Sequence, residues 1–462
     1  MNSSIQIYPD WVRDSIFYHI FPDRFYRGGD ALPGTGLEPW GNRPTPNNYF
    51  GGNLDGIGQK LGHLRELNIN AIYLTPIFKA ETNHKYDTAD YYSIDPGFGS
   101  NESFKGFVEN LHHHQIRLIL DGVFNHSGKN FPAFADLLKE GEKSPYRDWY
   151  RILRFPLTTH PTTYETCGGS TYLPKFNLEN EEVRSFLLDV ARFWMEKYGI
   201  DGWRLDSAVK VPRSFWREFY ATVKNASRSA YIVGELWWEP TPWLDKGLMD
   251  GGTNYVLRSL MLTFFARKEM DAEDFRFEID SLVARLGNAA GFMLNFLGSH
   301  DTPRAFTLFQ GEVAYLRLAI IFLFCMVGAP MIYYGDEVGL PGQNDPDCRR
   351  CMPWDPREWN ATIFDCYRQL SQLRASEIAL RRGNYESLLA IDRLFVFRRF
   401  TAERNIIVVI NVGNEMVNIK IDTNSEHLEW LNFFTGQTIH IENQKIELDT
   451  IPSTSALIFI SQ

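Results

Sequence analysis

The feature that most constrains this chain is an alternation. Short runs rich in β-branched and aromatic residues recur at 15–22, 70–77, 116–125, 199–206, 230–238, 291–301 and 329–337. Between most of them lie stretches with helical apolar spacing, at 54–67, 103–113, 181–198, 213–225 and 272–286. Parallel strands need crossover connections and helices supply them, so this pattern predicts a parallel sheet. Seven strands are plain and a weak eighth falls near 252–257. Eight favours a closed (β/α)8 barrel over an open doubly wound sheet.

Two interruptions organise the rest. Between His126 and Glu179 the alternation lapses into Pro, Gly, Thr and aromatic residues, as an excursion from the third βα loop would. After about Arg381 helical spacing gives way to short alternating strands at 394–399, 405–411, 417–421 and 456–460, which predict a small antiparallel β-sandwich domain. The expected division is barrel over 1–126 and 181–380, an inserted domain over 127–180, and a C-terminal β domain over 381–462.

Composition narrows the partners. Lys plus Arg is 47 against 57 for Asp plus Glu, a net charge of −10, and nucleic acid would call for a basic face. No apolar run reaches the roughly 20 residues of a membrane span. The longest, 319–334, is cut by Gly328 and Pro330 and reads as a buried helix followed by a strand. The first residues show no basic region followed by an apolar one, so no secretory signal is expected. Five cysteines, an odd number, fit a reducing cytoplasm better than a disulfide scaffold. Cys348 and Cys351 form a C-x-x-C, but no second Cys or His pair stands at ligand spacing, and His112–His114 are consecutive on a helix and diverge. Aromatic residues make 15 % of the chain, which suits either a large core or a ligand with flat apolar faces, as sugars have.

A barrel of this kind keeps its chemistry at the C-terminal ends of its strands. The third run ends in DGVFNH, with Asp121, Asn125 and His126; the fourth in GWRLD, with Arg204 and Asp206 two apart and so on one face. The fifth ends in GELW with Glu235, and the seventh in GSHD with His300 and Asp301. A single such acid is ordinarily a solvated loop residue or half of a structural ion pair. Four coincidences at strand ends call for a divalent metal or for glycosidic cleavage by paired carboxylates. No H-x-H pair stands at these ends to favour a metal. Glycoside hydrolysis needs one acid protonated and one ionised, and Arg204 is placed to lower the pKa of Asp206.

The order DGVFNH, GWRLD, GEL and SHD resembles the α-amylase superfamily of retaining glycoside hydrolases, and the likeness extends over the barrel, the insertion and the C-terminal domain. The resemblance implies Asp206 as nucleophile, Glu235 as general acid/base and Asp301 as transition-state stabiliser. It implies that Arg204 orients Asp206, that His126 and His300 hold sugar hydroxyls, and that Tyr86, in NHKYDTADY, stacks under the same sugar with His84 nearby. Asp121 stands at a position of the substrate site and its support. Asn125 either braces the insertion or touches substrate.

Three further stretches, LPKFN at 173–177, NDPDCRRCMPW at 344–354 and FPDRF with PTPNNYFGGNLDGI, are similar to the cyclomaltodextrinase, neopullulanase and maltogenic amylase group. This likeness implies that Asp345 and Arg349 grip the next sugar on the donor side and gives Cys348 a structural role. Most of that group begins with an additional β domain, whereas the first strand here starts by about residue 15, so that domain is expected to be absent. Its loss leaves a homo-oligomer and the preference for cyclic substrates open. After Asp206 stand Ser207, Ala208, Val209 and Lys210 in place of V-A-N-E, and after Glu235 stand Leu236, Trp237, Trp238 and Glu239 in place of I-W-H-D. Both segments flank the acceptor side. The group's calcium site draws on acidic and Asn residues and a GGD; segment 28–34 is sparser and Asn53 replaces that Asp, so no calcium or other cofactor requirement is expected. The resulting expectation is a cytoplasmic α-glucan hydrolase acting on oligosaccharides through α-1,4 and some α-1,6 links. A glucanotransferase using the same nucleophile, with Trp237 and Trp238 as acceptor platform, and a non-catalytic glucan-binding protein on the same fold are the alternatives.

Overall fold

The computed structural model describes residues 8–29, 36–244 and 247–462. Eight parallel strands form the central sheet: β1 (Phe17–Ile20), β2 (Ala71–Leu74), β3 (Arg117–Gly122), β4 (Gly202–Leu205), β5 (Tyr231–Gly234), β6 (Gly251–Gly252), β7 (Leu294–Phe296) and β8 (Ala329–Tyr333). Their order, β6-β5-β4-β3-β2-β1-β8-β7, runs sequentially around a ring. A parallel bridge from Thr253 to Leu294 joins its two ends. This is the (β/α)8 barrel that the alternation implied.

Alternation along each strand sorts the side chains. Phe17, Ala71, Ile119, Tyr231, Val233, Leu294, Phe296, Ala329 and Met331 fill the barrel interior as one cluster. Tyr18, Ile20, Ile72, Leu74, Leu118, Leu120, Trp203 and Ile232 face outward into a second cluster against the helices. The inward row therefore continues upward into His19, Tyr73, Asp121, Arg204 and Glu235, because successive residues of one parity share a face. Those are the residues of the site.

Helix ends obey local chemistry. The helix Glu181–Tyr198 starts at Asn180, whose side chain accepts from the N–H groups of Glu182 and Val183, and stops at Gly199, which takes φ 70°. A residue with a Cβ resists that left-handed turn, so Gly199 lets the chain leave the helix and enter β4.

Three sequence readings are corrected. The sixth strand is only Gly251–Gly252; most of 252–257 belongs to the turn and helix beyond it, where Asn254 caps the helix Tyr255–Met261. The stretch 54–67 is two helices, Leu54–Gln59 and Leu61–Glu66, meeting at Lys60. The C-terminal domain holds eight strands rather than four: a six-stranded antiparallel sheet (Asn384–Ile391, Leu394–Phe400, Asn405–Asn411, Glu429–Asn432, Thr438–His440, Ser455–Ser461) and a ribbon of Met416–Asp422 with Lys445–Ile451. The extra strands were hidden because they are exposed and polar on one face.

One face of the six-stranded sheet packs on the barrel helices, with Phe395 against Phe275 and Phe397 against Phe322. Arg399, fully buried, donates to the Cys325 carbonyl at 2.9 Å and fastens the two units. After β3 the chain makes its excursion: a helix Pro132–Glu140, then irregular backbone tied by bridges such as His126 to Lys175 and Tyr150 to Phe176, over a small aromatic core of Phe131, Phe134, Tyr150, Tyr164 and Phe176. Among the described residues no helix is long and apolar enough to cross a membrane.

Candidate active site

At the C-terminal rim a single buried guanidinium organises three carboxylates. Arg204, 2 % exposed, reaches Asp121 at 2.9 Å and Asp206 at 3.0 Å through Nη1, and Glu235 at 3.2 Å through Nη2. Asp206 follows β4 directly and Glu235 follows β5 directly, so the hydrogen-bonding of neighbouring parallel strands sets the two acids side by side. Glu235 is further held by the Ser207 N–H on Oε2 at 2.7 Å and by the Trp237 indole N–H on Oε1 at 2.9 Å. Ser207 adopts a left-handed φ of 47°, which a residue with a side chain tolerates where its surroundings impose it.

Asp121 is 1 % exposed and stands beneath this group. Its oxygens accept from Arg204, from Tyr73 at 2.5 Å and from Tyr86 at 2.9 Å. Tyr86 also meets His300 Nε2 at 2.5 Å, with its ring stacked on that imidazole, and His300 Nδ1 meets His19 Nε2 at 3.2 Å. Since the Tyr86 proton goes to Asp121, His300 donates from Nε2, and its Nδ1 accepts from His19. A fourth acid, Asp301, contacts His300 Nε2 at 3.1 Å and Arg349 at 3.5 Å.

Donor-side residues assemble beyond it. Arg349 donates to the His300 carbonyl at 2.9 Å and pairs with Asp345 at 3.1 Å. With His84, Tyr172, Asn83, Lys129 and Pro346 they line a cleft of ≈ 460 Å³. His84 Nδ1 accepts from the Tyr86 N–H at 3.1 Å. His126 Nε2 contacts the Tyr86 carbonyl at 3.2 Å, and Asn125 contacts His126 Nδ1 at 3.2 Å while its own carbonyl accepts from the Phe176 N–H of the insertion. On the opposite side Trp237 is 38 % and Trp238 70 % exposed.

Charge states derive from burial. Desolvation, aided by Arg349 and Arg204, drives His300 well below its ordinary value. Burial takes His126 down to about 4 and His84 to about 3. All three imidazoles are neutral hydrogen-bonding groups at pH 7. Asp206 corrects the sequence reading: burial first and the adjacent Glu235 second push it well above the carboxylate range, and Arg204 only opposes them. Arg204 is shared by three acids, so its pull on any one is diluted. Asp301 is raised by burial against the pull of Arg349 and Arg204.

The sequence reading missed His19, Tyr73, Ser207 and Tyr255. The first two had a signal, since each lies two residues beyond an inward apolar residue of its strand, as Arg204 lies beyond Gly202. The thiols are structural: Cys348 and Cys351 are buried and free, and Cys348 donates to the His300 carbonyl at 3.3 Å. His112 pairs with Asp201 at 2.8 Å. Asn53, weighed in the sequence as a calcium position, has Oδ1 accepting from Gly28 at 3.2 Å and Gly56 at 2.8 Å, and Nδ2 donating to the Gly28 carbonyl at 2.8 Å. That amide is satisfied by backbone and carries no charge. Residues 30–34 of the same segment lie outside the described residues.

A (β/α)8 barrel whose rim carries neighbouring carboxylates on a shared arginine, flanked by neutral imidazoles and aromatic rings, is the framework of a glycoside hydrolase. The family model for the α-amylase catalytic domain matches residues 19–367, and the chain belongs to that family, within its cyclomaltodextrinase and neopullulanase group. It is 42 % identical over 445 residues to a cyclomaltodextrinase of Geobacillus thermopakistaniensis (strain MAS1), covering 95 % of this chain and 75 % of that one. It is 41 % identical over 461 residues to neopullulanase 2 of Thermoactinomyces vulgaris, covering 98 % and 78 %. The solved structure of cyclic α-maltosyl-(1→6)-maltose hydrolase from Arthrobacter globiformis, ligand-free, matches with a TM-score of 0.90 at 40 % identity, covering 98 % of this chain and 100 % of that one.

Proposed function

We propose that this enzyme hydrolyses α-1,4 and also α-1,6 links in short maltooligosaccharides, cyclic maltodextrins and pullulan, with retention of configuration. The observation that carries the reading is the shared grip of Arg204 on Asp206 and Glu235. Both acids stand on one cation, with burial first and the neighbouring Glu235 second raising Asp206, and glycosidic cleavage needs one acid and one carboxylate. As the carboxylate of the two, Asp206 attacks the anomeric carbon while Glu235 protonates the departing oxygen. Glu235, now a base, takes a proton from water, which displaces Asp206 and releases the sugar. Asp301 faces the positive charge that develops at the ring. His126, His300 and Tyr86 orient the sugar, Arg349 and Asp345 hold the next one, and Asp121 positions Arg204 and Tyr86. Every proton and electron pair in these steps is accounted for by the two acids and water, and EDTA is expected to leave turnover unchanged. Five free cysteines support a reducing, cytoplasmic setting.

The test is a product time course with β-cyclodextrin, maltotriose, pullulan and soluble starch beside Asp206→Ala. Faster turnover of cyclodextrin and pullulan than of starch supports the substrate class; a preference for starch overturns it. A crystal structure is expected to place the carboxyl carbons of Asp206 and Glu235 about 5–5.5 Å apart, the retaining spacing, and a value near 9 Å would sink the mechanism. Trp237 and Trp238, exposed beside the acid/base, favour a second reading in which another sugar replaces water. Longer products that grow with acceptor concentration distinguish it.

A further inference from the structure

Glu235 must stay aimed at the glycosidic oxygen through two opposite proton transfers, yet it sits on the less bonded side of the site. Its Oε1 accepts the Trp237 indole N–H at 2.9 Å. The Trp237 ring lies flat on Tyr255, centroids 3.8 Å apart and planes 15° from parallel. Tyr255 is buried and meets Phe296 of β7 edge-on at 4.9 Å. It opens the helix after β6, where Asn254 caps that helix through the Leu257 N–H and also donates to Asn295 of β7 at 2.9 Å. The Tyr255 hydroxyl lies near Ser299, whose Oγ accepts the Asp301 N–H at 3.3 Å.

Resting on the hydrolytic reading above, we propose that Tyr255 and Trp237 are a positioning pair for the acid/base: Tyr255 fixes the indole plane, and the indole N–H fixes Glu235. The indole's open side is where the departing sugar packs, so one ring serves both leaving-group binding and proton delivery. The geometry separates this role from a plain stacking platform. A platform needs a ring only. A positioning group needs the N–H and a backing that keeps it in line.

Trp237→Phe keeps the ring and removes the donor; Tyr255→Leu keeps the indole and removes its support. The readout is kcat and KM on maltotriose and on α-maltosyl fluoride, whose fluoride leaves with little help from an acid. Both variants are expected to lose about tenfold or more in kcat on maltotriose, less than the roughly 10²–10⁴-fold of general acid–base catalysis as a whole, with KM within about twofold and kcat/KM on the fluoride, which reports the first step alone, nearly retained. Tyr255→Phe, which keeps the stack, is expected to stay within about threefold of wild type on both substrates. A rise in KM with kcat unchanged, or equal losses in kcat/KM on the two substrates, overturns the proposal. Glu235→Gln run alongside separates the two levels: it should show the same leaving-group dependence, only larger. If Glu235→Gln cleaves maltotriose at the wild-type rate, the assignment of the acid/base fails, whatever Trp237 does.

Discussion

The two sides of the cleft are built differently. On the donor side Tyr86, His300, His19, Asp121, Asp301, Arg349 and Asp345 form a continuous chain of hydrogen bonds and ion pairs, with His19, Asp121, His300 and Arg349 buried. On the acceptor side Trp237 and Trp238 present exposed rings, and Glu235 is tied by one indole, one backbone N–H and an edge of Arg204. The donor sugar must be distorted and held through a covalent step, which rewards rigid polar contacts in low dielectric. The acceptor is exchanged between steps, leaving sugar for water, which rewards a flat apolar surface that releases easily.

Several changes would break or sharpen that contrast. The largest is Asp206→Ala, expected to lower turnover of every substrate about 10⁴-fold or more, since it removes the proposed nucleophile, which both sides share. Arg204→Met comes next. It leaves buried Asp121 facing Asp206 without a cation and is expected to cost roughly 3–5 kcal/mol of stability in a thermal or urea melt, beyond its loss of activity. Arg349→Ala touches the donor side alone. Loss of a charge-assisted contact of about 1.5–3 kcal/mol predicts a rise in KM for maltotriose of roughly 10–100-fold, with α-maltosyl fluoride affected alike.

Acid stability should also belong to the donor side. His126 falls to about 4 when folded and recovers its ordinary value near 6.5 when unfolded. Between these values the unfolded chain binds the proton and the folded one does not, so stability is lost as pH falls from about 6.5 towards 4. His126→Gln is expected to flatten the dependence of Tm on pH in that window, and an unchanged slope would assign the lability elsewhere. The smallest effect is expected from Trp238→Ala: hydrolysis of maltotriose within about threefold, with a lower yield of longer products at high acceptor concentration.

Much of the site was legible because barrel strands are short and their parity is strict. Asp206 could be placed beside Arg204 from a spacing of two, and Glu235 and Asp301 from their positions after apolar runs. His19 and Tyr73 obey the same parity, but a lone His or Tyr in an apolar run looks like core. Tyr255 had no signal at all: it begins a helix where the sequence suggested a strand, and its role depends on stacking against a residue from another loop. The weak sixth strand was misjudged for a related reason. Two glycines carry the strand, and the apolar residues that drew attention belong to the helix after it.

Local patterning, then, determined the barrel, its insertion and C-terminal domain, and which carboxylates stand at the rim, because the periods of strand and helix are properties of neighbouring residues. Tertiary structure decided the rest. It put Asp121 beneath the site as an anchor, gave Glu235 the Trp237 indole as a partner, and turned the balance at Asp206 upward against Arg204. Those outcomes depend on groups far apart in the chain and on how much water packing removes around a charge, and neither is a property of any short stretch of sequence.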